Sequence, residues 1–448
     1  MMSGVTELMP VATTAPDDAS VPQRPTCFGD VGLATDNVAE LVLKWLYTGE
    51  ASGTDLAERI RLPYALLEGI IEHVRIERLV EVRSAGGTGT AGYRYGLTDG
   101  GRDRARQHFD ACGYVGPAPV PLDQYLSYMG HISGSRVRID HESVAAGLFP
   151  LVLSPQVIDQ LGPAITARRA LFLYGPPGNG KSVIGAGIGR VLGGDIYIPH
   201  ALDIDGQVVQ LFDPVTHTEV VTEEESLLIR PSDSSDQRWA RIARPVITVG
   251  GELTLDMLDL AFNQTSSFYE APVQLKANGG VLIIDDFGRQ RVPPQDLLNR
   301  WIVPLEAQID YLTLHSGRKF EIPFDVLIVF STNLDPQSLA DEAFLRRIPY
   351  KIRAKNPTYD QFCRIFAQTC SGHGIDFDPA MVEYLRQEYY VARGIEMRGC
   401  HPRDLINQVV NLCRYQNRDA AITTELLDAA CSTYFVDDTE RTARESAS

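Results

Sequence analysis

Long apolar runs are missing from this 448-residue sequence. No window approaches the ~18–20 consecutive apolar residues that a membrane-spanning helix needs. The segment from Met1 to Ser20 also lacks the basic start and apolar stretch of a secretory signal. We therefore expect a protein that is neither secreted nor inserted into a membrane.

Cysteines are few and scattered, and none of them forms a C-x-x-C pair. There are seven, an odd number, at Cys27, Cys112, Cys363, Cys370, Cys400, Cys413 and Cys431. This pattern argues against a disulfide framework and against a structural zinc site. It favours a reducing, cytoplasmic setting.

Positive charge is also scarce, since 41 basic side chains stand against 58 acidic ones and the net charge is -17. For the chain as a whole, attraction to nucleic acid or anionic lipid is therefore unfavourable, although a local basic patch can override this. The remaining composition, with 44% apolar and 22% charged residues, is typical of a folded protein, and the length predicts two to four domains.

The first part of the chain predicts a tail and a small helical domain. Residues 1–33 have little hydrophobic periodicity and predict a disordered tail. Residues 34–115 predict a winged helix-turn-helix domain, because three helical segments precede two short strands separated by a Gly-rich loop. The predicted helices are 38–47, 54–60 and 64–78, and the strands are 79–83 and 93–97. Thr98 is placed to cap a further helix that starts at Asp99.

The rest of the chain predicts an α/β domain followed by a helical one. A Pro-rich passage starts a predicted linker at 116–150. Residues 151–356 predict a parallel sheet flanked by helices, since apolar strands alternate there with helical stretches. The strands are 170–174, 194–198, 281–284 and 326–331, with an insertion expected at about 197–250. Residues 357–438 predict an all-helical domain and residues 439–448 a flexible tail. The predicted helices of the all-helical domain are 359–369, 379–387, 402–411 and 424–436.

The clearest motif is a phosphate-binding loop that matches G-x-x-x-x-G-K-[ST] between a strand and a helical run. It consists of Gly175, Pro176, Pro177, Gly178, Asn179, Gly180, Lys181 and Ser182. Glycines let the backbone curl so that amide donors and a helix N-terminus face one anion, while Lys181 adds positive charge and Ser182 offers a hydroxyl to Mg²⁺. The motif predicts binding of ATP with magnesium. The alternative is a strand-to-helix turn that happens to carry Lys-Ser.

A second motif lies where the apolar strand at 281–284 ends in Asp285 and Asp286. Parallel strands present such groups to a ligand at their carboxyl ends. Asp285 is predicted to hold the metal, and Asp286 to orient or polarise the attacking water. The alternative is an acidic, solvated turn.

These elements, in this order, resemble the AAA+ superfamily of ATPases over about residues 151–436. The resemblance implies further site residues. Asn333, after the strand at 326–331, corresponds to the first sensor near the attacking water. Arg346 or Arg347 corresponds to the arginine finger that completes a neighbouring subunit's site. Arg403 corresponds to the second sensor, which contacts nucleotide in cis. From the residues alone, Asn333 is equally a turn residue, the arginine pair a solvated helix surface, and Arg403 a partner for Asp404 or Glu396.

A predicted hairpin at 311–323 is similar to the one that defines the pre-sensor-1 group of AAA+ proteins, in the neighbourhood of the MoxR-type chaperones. Two features depart from the family pattern. Asp286 stands where the family usually has Glu, and one methylene less reach, a shift of about 1 Å, can slow hydrolysis by ~100-fold. The 104 positions between Lys181 and Asp285 also exceed what a compact core needs, hence the expected insertion.

The sequence thus predicts a cytoplasmic, Mg²⁺-dependent ATPase that assembles into a ring, a hexamer, and remodels or matures a protein partner in a chaperone-like manner. Between residues 36 and 110 there are 10 basic and 12 acidic side chains, which favours docking of a protein over DNA by the N-terminal domain. Several arginines around the predicted wing could form a basic surface, which leaves an alternative open: a DNA-associated regulator that uses ATP as an assembly switch. A third option is a nucleotide-binding scaffold without hydrolysis.

Overall fold

The structure is a computed structural model that describes residues 21–86, 89–134, 139–220 and 234–435. The predicted tail at 439–448 and the first 20 residues of the predicted tail at 1–33 lie outside this range. The described helices are α1 (Phe28–Val31), α2 (Thr35–Thr48), α3 (Gly53–Ile60), α4 (Tyr64–Ile76), α5 (Asp99–Ala111), α6 (Leu122–Gly134), α7 (His141–Leu148), α8 (Pro155–Thr166), α9 (Lys181–Leu192), α10 (Val273–Lys276), α11 (Pro294–Arg300), α12 (Ile302–Ala307), α13 (Pro336–Leu339), α14 (Glu342–Leu345), α15 (Tyr359–Gly372), α16 (Pro379–Leu385), α17 (His401–Tyr415) and α18 (Thr424–Tyr434).

The strands of the described residues form five separate sheets. They are β1 (Ala51–Ser52), β2 (Val80–Ser84), β3 (Arg94–Leu97), β4 (Val120–Pro121), β5 (Leu171–Tyr174), β6 (Asp195–Pro199), β7 (Ala201–Ile204), β8 (Gln207–Gln210), β9 (Trp239–Ala243), β10 (Val246–Val249), β11 (Ala261–Asn263), β12 (Phe268–Glu270), β13 (Val281–Ile284), β14 (Ile309–Thr313), β15 (Lys319–Pro323), β16 (Leu327–Thr332) and β17 (Tyr350–Arg353).

The N-terminal region packs α2, α3 and α4 with the antiparallel sheet β1-β3-β2. Leu41, Leu56, Leu67 and Tyr95 from these elements share one hydrophobic core. The side chain of Thr98 accepts a hydrogen bond from the first turn of α5, as predicted for a helix cap. The three helices and two strands predicted for this region are confirmed, and the two-residue strand β1 extends the sheet.

The predicted tail and linker are each wrong in part. Val31 in α1 is fully buried, and its carbonyl oxygen accepts a 2.8 Å hydrogen bond from the guanidinium of Arg238. Within the predicted linker, α6 buries Tyr125 and Met129 in the protein interior, and α7 packs against α9. Proline and glycine mark turns of the local backbone, but they do not report whether the helices that follow are packed.

A five-stranded parallel sheet with the order β10-β13-β16-β5-β17 forms the centre of the α/β region. Residues of each strand alternate between its two faces. Phe172 and Leu282 pack on one face with α11 and α12, whereas Leu171 and Ile283 pack on the other with α8 and α9. The predicted fold class, a parallel sheet flanked by helices, is confirmed.

The predicted set of strands in the central sheet needs a correction. The predictions at 170–174, 281–284 and 326–331 correspond to β5, β13 and β16, but the strand at 194–198 does not join the central sheet. It is β6, which pairs antiparallel with β9 in a separate two-stranded sheet. One edge of the sheet is instead formed by β10, which the sequence assigns to the insertion at 197–250, and the other by β17, which was not predicted. An alternating pattern predicts a strand without naming its partner.

A further sheet and a β-hairpin share a hydrophobic core of their own. The sheet β11-β12-β8-β7-β4 packs with α6 and with the β14-β15 hairpin in a core that includes Tyr125, Tyr269 and Leu312. The hairpin predicted at 311–323 is confirmed, since β14 and β15 pair from Ile309↔Pro323 to Thr313↔Lys319.

The last part of the described chain, α15 to α18 (residues 359–434), has a hydrophobic core of its own, which we call the C-terminal helical bundle. The four predicted helices are confirmed there, and α16 is followed by a π-helical segment, Arg386–Val391. Among all described residues, no helix is long and apolar enough to cross a lipid bilayer.

Candidate functional site

The predicted phosphate loop connects β5 to α9 and lies at the carboxyl edge of the central sheet. Gly175, Gly178 and Gly180 all adopt positive φ angles, of 137°, 81° and 72°, which side chains disfavour. At Gly175 space is also limiting, because a Cβ atom there would lie 2.4 Å from the carbonyl oxygen of Ala354. The glycines therefore curl the loop so that it leads straight into α9 at Lys181, whose helix N-terminus favours an anion.

Lys181 is fixed at the mouth of this loop. Its side chain is 7% exposed. Its Nζ donates hydrogen bonds to the carbonyl oxygens of Gly175 and Pro176, at 3.0 Å each, and to Oδ1 of Asn333 at 2.7 Å. Burial lowers the pKa of the Lys181 ammonium, while the charges of Asp285 and Asp286 act in the opposite direction. The ammonium is thus held between the loop and the two neighbouring strand ends.

The predicted acidic pair follows β13, the strand two places from β5 in the sheet. Asp285 accepts a 2.7 Å hydrogen bond at Oδ2 from the hydroxyl of Ser182, which joins the strand end to the start of α9. Asp286 has a φ angle of 48°, in the left-handed region that few residues other than glycine, asparagine and aspartate occupy. The amide of Gln290 donates to the backbone oxygens of both aspartates, at 3.0 and 3.3 Å, and so supports this turn.

Asn333 connects the two motifs. It follows β16, the strand between β13 and β5, and its Oδ1 accepts from Lys181 while its Nδ2 donates to Oδ1 of Asp286 at 3.1 Å. We call Lys181, Ser182, Asp285, Asp286 and Asn333 the edge cluster. The structure brings these five predicted site residues together, although 152 positions separate the ends of the set.

Arg403 lies in the first turn of α17. Its guanidinium is 64% exposed and pairs with Asp404, with Nη2 2.9 Å and Nε 3.0 Å from Oδ1. This contact is the salt bridge that the residues alone leave open. The helix itself does reach the phosphate loop, since the N–H of Cys400 donates to the carbonyl oxygen of Gly178 at 2.7 Å. Contact between Arg403 and a nucleotide stays a prediction.

Arg346 and Arg347 lie at the opposite edge of the sheet, between α14 and the start of β17. Arg346 pairs with Glu342 at 3.0 Å, and both side chains are highly exposed, at 77% and 85%. Arg347 is 26% exposed and lies 2.6 Å from Glu306. Because β17 and β5 are parallel and four residues long, the two edges are about 13 Å apart along the strands. The structure therefore does not bring these arginines to the edge cluster of their own chain.

The two arginines line a cleft of about 500 Å³ together with Arg169, Leu305, Glu306 and Pro349. Arg169 precedes β5 and donates to the carbonyl oxygen of Leu305 at 3.3 Å. No sequence motif surrounds Arg169, which stands beside one other arginine, so nothing in the sequence singles it out. The cleft places several cations at one exposed edge.

Sequence reasoning also missed the groups that support the loop from outside. Asn356, which follows β17, accepts a 2.7 Å hydrogen bond from the side chain of Asn179 and donates at 2.9 Å to Glu396. No local signal identifies Asn356, since an Asn-Pro pair reads as an ordinary turn. For Gln290, the only hint in the sequence that it supports the Asp285-Asp286 turn is its position four residues after Asp286.

Comparisons with known proteins give a partial picture. A family model described as a domain of unknown function (DUF8689) matches residues 358–433, which coincide with the C-terminal helical bundle. A search of the curated proteins finds no match. Among solved structures, the chain is similar to NtrX from Brucella abortus, with 13% identity, a TM-score of 0.40, and coverage of 66% of this chain and 59% of that chain.

A further solved structure with similarity is the RuvB Holliday junction branch migration motor from Thermotoga maritima, with 15% identity, a TM-score of 0.38, and coverage of 65% of this chain and 74% of that chain. The chain spans less than two thirds of the NtrX chain that it matches.

Proposed function

We propose that the protein is a Mg²⁺-dependent ATPase of the AAA+ kind that forms a ring, a hexamer, and couples ATP binding and hydrolysis to remodelling or maturation of a protein partner. The observation that carries the proposal is the edge cluster. A loop of amide donors and a lysine meets two aspartates and an asparagine at one edge of a parallel sheet, where phosphate, metal and attacking water are expected in a P-loop site.

The ligand set fits magnesium. Ser182 Oγ and Asp285 Oδ2 lie 2.7 Å apart at the mouth of the loop, and a hydroxyl and a carboxylate oxygen are ligands of the kind that Mg²⁺ prefers. When bound, the ion would neutralise charge on the β- and γ-phosphates. Ser182 and Asp285 would hold it, directly or through water, and Lys181 would contact the terminal phosphates.

Asp286 and Asn333 are the groups suited to the attacking water. The carboxylate of Asp286 accepts a proton, and the amide of Asn333 fixes its orientation through the 3.1 Å hydrogen bond. Asn333 also contacts Lys181, so one side chain senses both the phosphate end and the base. Because Asp is shorter than Glu, we propose slow hydrolysis.

Of the two candidates for the arginine finger, we propose Arg346. An arginine at the far edge of the sheet is useful only to a neighbour's nucleotide, which is the reason to propose a ring. Arg346 is exposed and has a flexible i,i+4 partner, whereas Arg347 is three-quarters buried and tied to Glu306 across 41 positions. We therefore assign Arg347 to holding α14 against α12.

The finger is tested by subunit mixing. Arg346→Ala is expected to lower ATP turnover by about 1,000-fold with unchanged Mg-ATP affinity, because the lost cation acts only on a neighbour. Mixing this variant with inactive Asp286→Asn subunits should restore activity, since some interfaces then pair an intact finger with an intact base. Turnover is measured against total protein concentration.

Arg347→Ala is the matched control for the mixing experiment and should lower turnover much less. Full activity of Arg346→Ala, or first-order activity of a persistent monomer of the wild type, would contradict a finger supplied by a neighbour.

The N-terminal region, residues 34–115, is proposed to be a winged helix-turn-helix domain that docks a protein. Before its first arginine, the exposed face of α4, the part that would enter a DNA groove, carries Glu68, Glu72 and His73, and that arginine, Arg75, pairs with Glu72 at 2.9 Å. The arginines of the wing are already engaged, since Arg83 pairs with Glu81 at 2.9 Å and Arg94 donates to the backbone oxygen of Glu50 at 3.3 Å. Phosphates would therefore meet carboxylates on the helix, and on the wing an Arg83 already paired with a carboxylate and an Arg94 already bonded to the backbone.

A binding measurement separates the protein-docking proposal from the DNA-associated alternative, which the exposed arginines of α5 favour. We expect the full chain to bind a 30-base-pair duplex more weakly than ~100 µM at physiological salt, the weak limit of non-specific binding. Fluorescence anisotropy at several salt concentrations measures this affinity. Tighter binding that falls steeply with salt and is lost in Arg102→Glu would favour the DNA-associated regulator instead.

A further inference from the structure

The side chain of Asn179 reaches from the phosphate loop to two other parts of the molecule. Its Oδ1 accepts a 3.0 Å hydrogen bond from the N–H of Gly399, just before α17. Its Nδ2 donates at 2.7 Å to Oδ1 of Asn356, in the connector between β17 and the first helix of the bundle. One amide therefore holds the connector and the bundle against the loop at the same time.

Two more hydrogen bonds complete this contact. Asn356 donates to Oε2 of Glu396 at 2.9 Å, and the N–H of Cys400 donates to the carbonyl oxygen of Gly178 at 2.7 Å. The loop and the bundle also touch directly, because a Cβ atom on Gly178 would lie 2.6 Å from the sulfur of Cys400. We call the set the loop-to-bundle latch: Gly178, Asn179, Asn356, Glu396, Gly399 and Cys400.

The chemistry of the latch requires an amide at position 179. The group must accept from Gly399 and donate to Asn356 at once, and among side chains of this length only asparagine does both with fixed geometry. The phosphate-loop motif itself leaves this position free. Asparagine is thus demanded by the contact with the bundle and not by the binding of phosphate.

The latch is placed to respond to the loop. Gly178 and Gly180 flank Asn179 with φ angles of 81° and 72°, so small backbone rotations move the amide as a unit. Hydrogen bonds of 2.7–3.0 Å are lost with displacements of well under 1 Å. We propose that Asn179 is a positioning residue that couples nucleotide binding at the loop to the orientation of the C-terminal helical bundle, an inference that rests on the proposed nucleotide binding.

Hydrogen exchange tests the coupling. In the wild type, Mg²⁺ with a non-hydrolysable ATP analogue should change amide exchange in residues 396–406. In Asn179→Ala the backbone donors of the loop and Lys181 remain, so the affinity for the analogue is measured first and exchange is then compared at saturating analogue. Exchange in 396–406 should rise roughly tenfold without nucleotide, since the hydrogen bond from the N–H of Gly399 is lost, and it should no longer respond to the analogue.

Two variants control this experiment. Asn356→Ala leaves the loop intact and should abolish the response in the same way. Gln408→Ala removes a 2.7 Å hydrogen bond to Thr433 inside the bundle and should keep the wild-type response. An Asn179→Ala protein that binds the analogue and still shows the wild-type response would overturn the inference alone. Absence of analogue binding by the wild type would overturn the proposed function, and this inference with it.

Discussion

Asp286→Asn is expected to lower ATP turnover by about 100- to 10,000-fold, while Mg-ATP stays tightly bound. Removal of a general base typically lowers rates by ~10²–10⁴-fold. The fold should tolerate the change, because asparagine is also compatible with a φ angle of 48° and its amide oxygen can still accept from Asn333. Steady-state turnover and calorimetric ATP affinity measure the two halves of the expectation.

The trapped state of this variant also offers a route to the partner. An Asp286→Asn protein that binds ATP without hydrolysing it should co-purify with more of its protein partner than the wild type does. As a control, Asp296→Asn changes a carboxylate in the first turn of α11, outside the edge cluster, and should leave turnover within twofold. Unchanged activity in Asp286→Asn would favour the scaffold that binds nucleotide without hydrolysis.

Lys181→Ala is expected to weaken Mg-ATP binding by about 100-fold, or about 2.8 kcal/mol. The lysine supplies a charge-assisted contact to the terminal phosphates, and such contacts contribute about 1.5–3 kcal/mol. Its removal also leaves Oδ1 of Asn333 without its 2.7 Å donor. Titration calorimetry measures the affinity, and a thermal melt checks that the protein is folded.

A second lysine provides a matched control for this variant. Lys351 also donates to two backbone carbonyl oxygens, those of Leu345 and Ile348 at 2.7 Å each, and burial lowers its pKa as well. It lies on β17, outside the edge cluster, so Lys351→Ala should keep the Mg-ATP affinity within about threefold. Equal affinities of the Lys181→Ala and wild-type proteins would show that the lysine does not contact the nucleotide.

The edge cluster was predictable from sequence because its parts are local. The phosphate loop is a contiguous motif between a strand and a helix, and Asp285, Asp286 and Asn333 each follow an apolar strand directly. Parallel strands bring their carboxyl ends to one edge, so identifying the strands places the residues. The hydrogen bonds from Asn333 to both Lys181 and Asp286 needed the structure, since they depend on β16 lying between β13 and β5.

Neither the latch nor the edge strand β10 was predictable from sequence, because each depends on contacts between distant parts of the chain. Asn179 and Asn356 are 177 positions apart, and no local pattern announces that they meet. Likewise, β6 reads as a strand of the central sheet and residues 246–249 as part of the insertion, yet tertiary packing places β10, and not β6, in the central sheet. Arg403 shows the converse, because a motif resemblance predicts a nucleotide contact while the structure gives it Asp404 as a partner.

Calorimetric titration of the purified wild-type chain with ATP tests the central claim most directly. The account predicts one site per chain, with a dissociation constant in the range of ~1–100 µM, that is weakened strongly when magnesium is chelated and by Lys181→Ala. If circular dichroism shows that the protein is folded and no binding heat is observed at several temperatures, the account is contradicted.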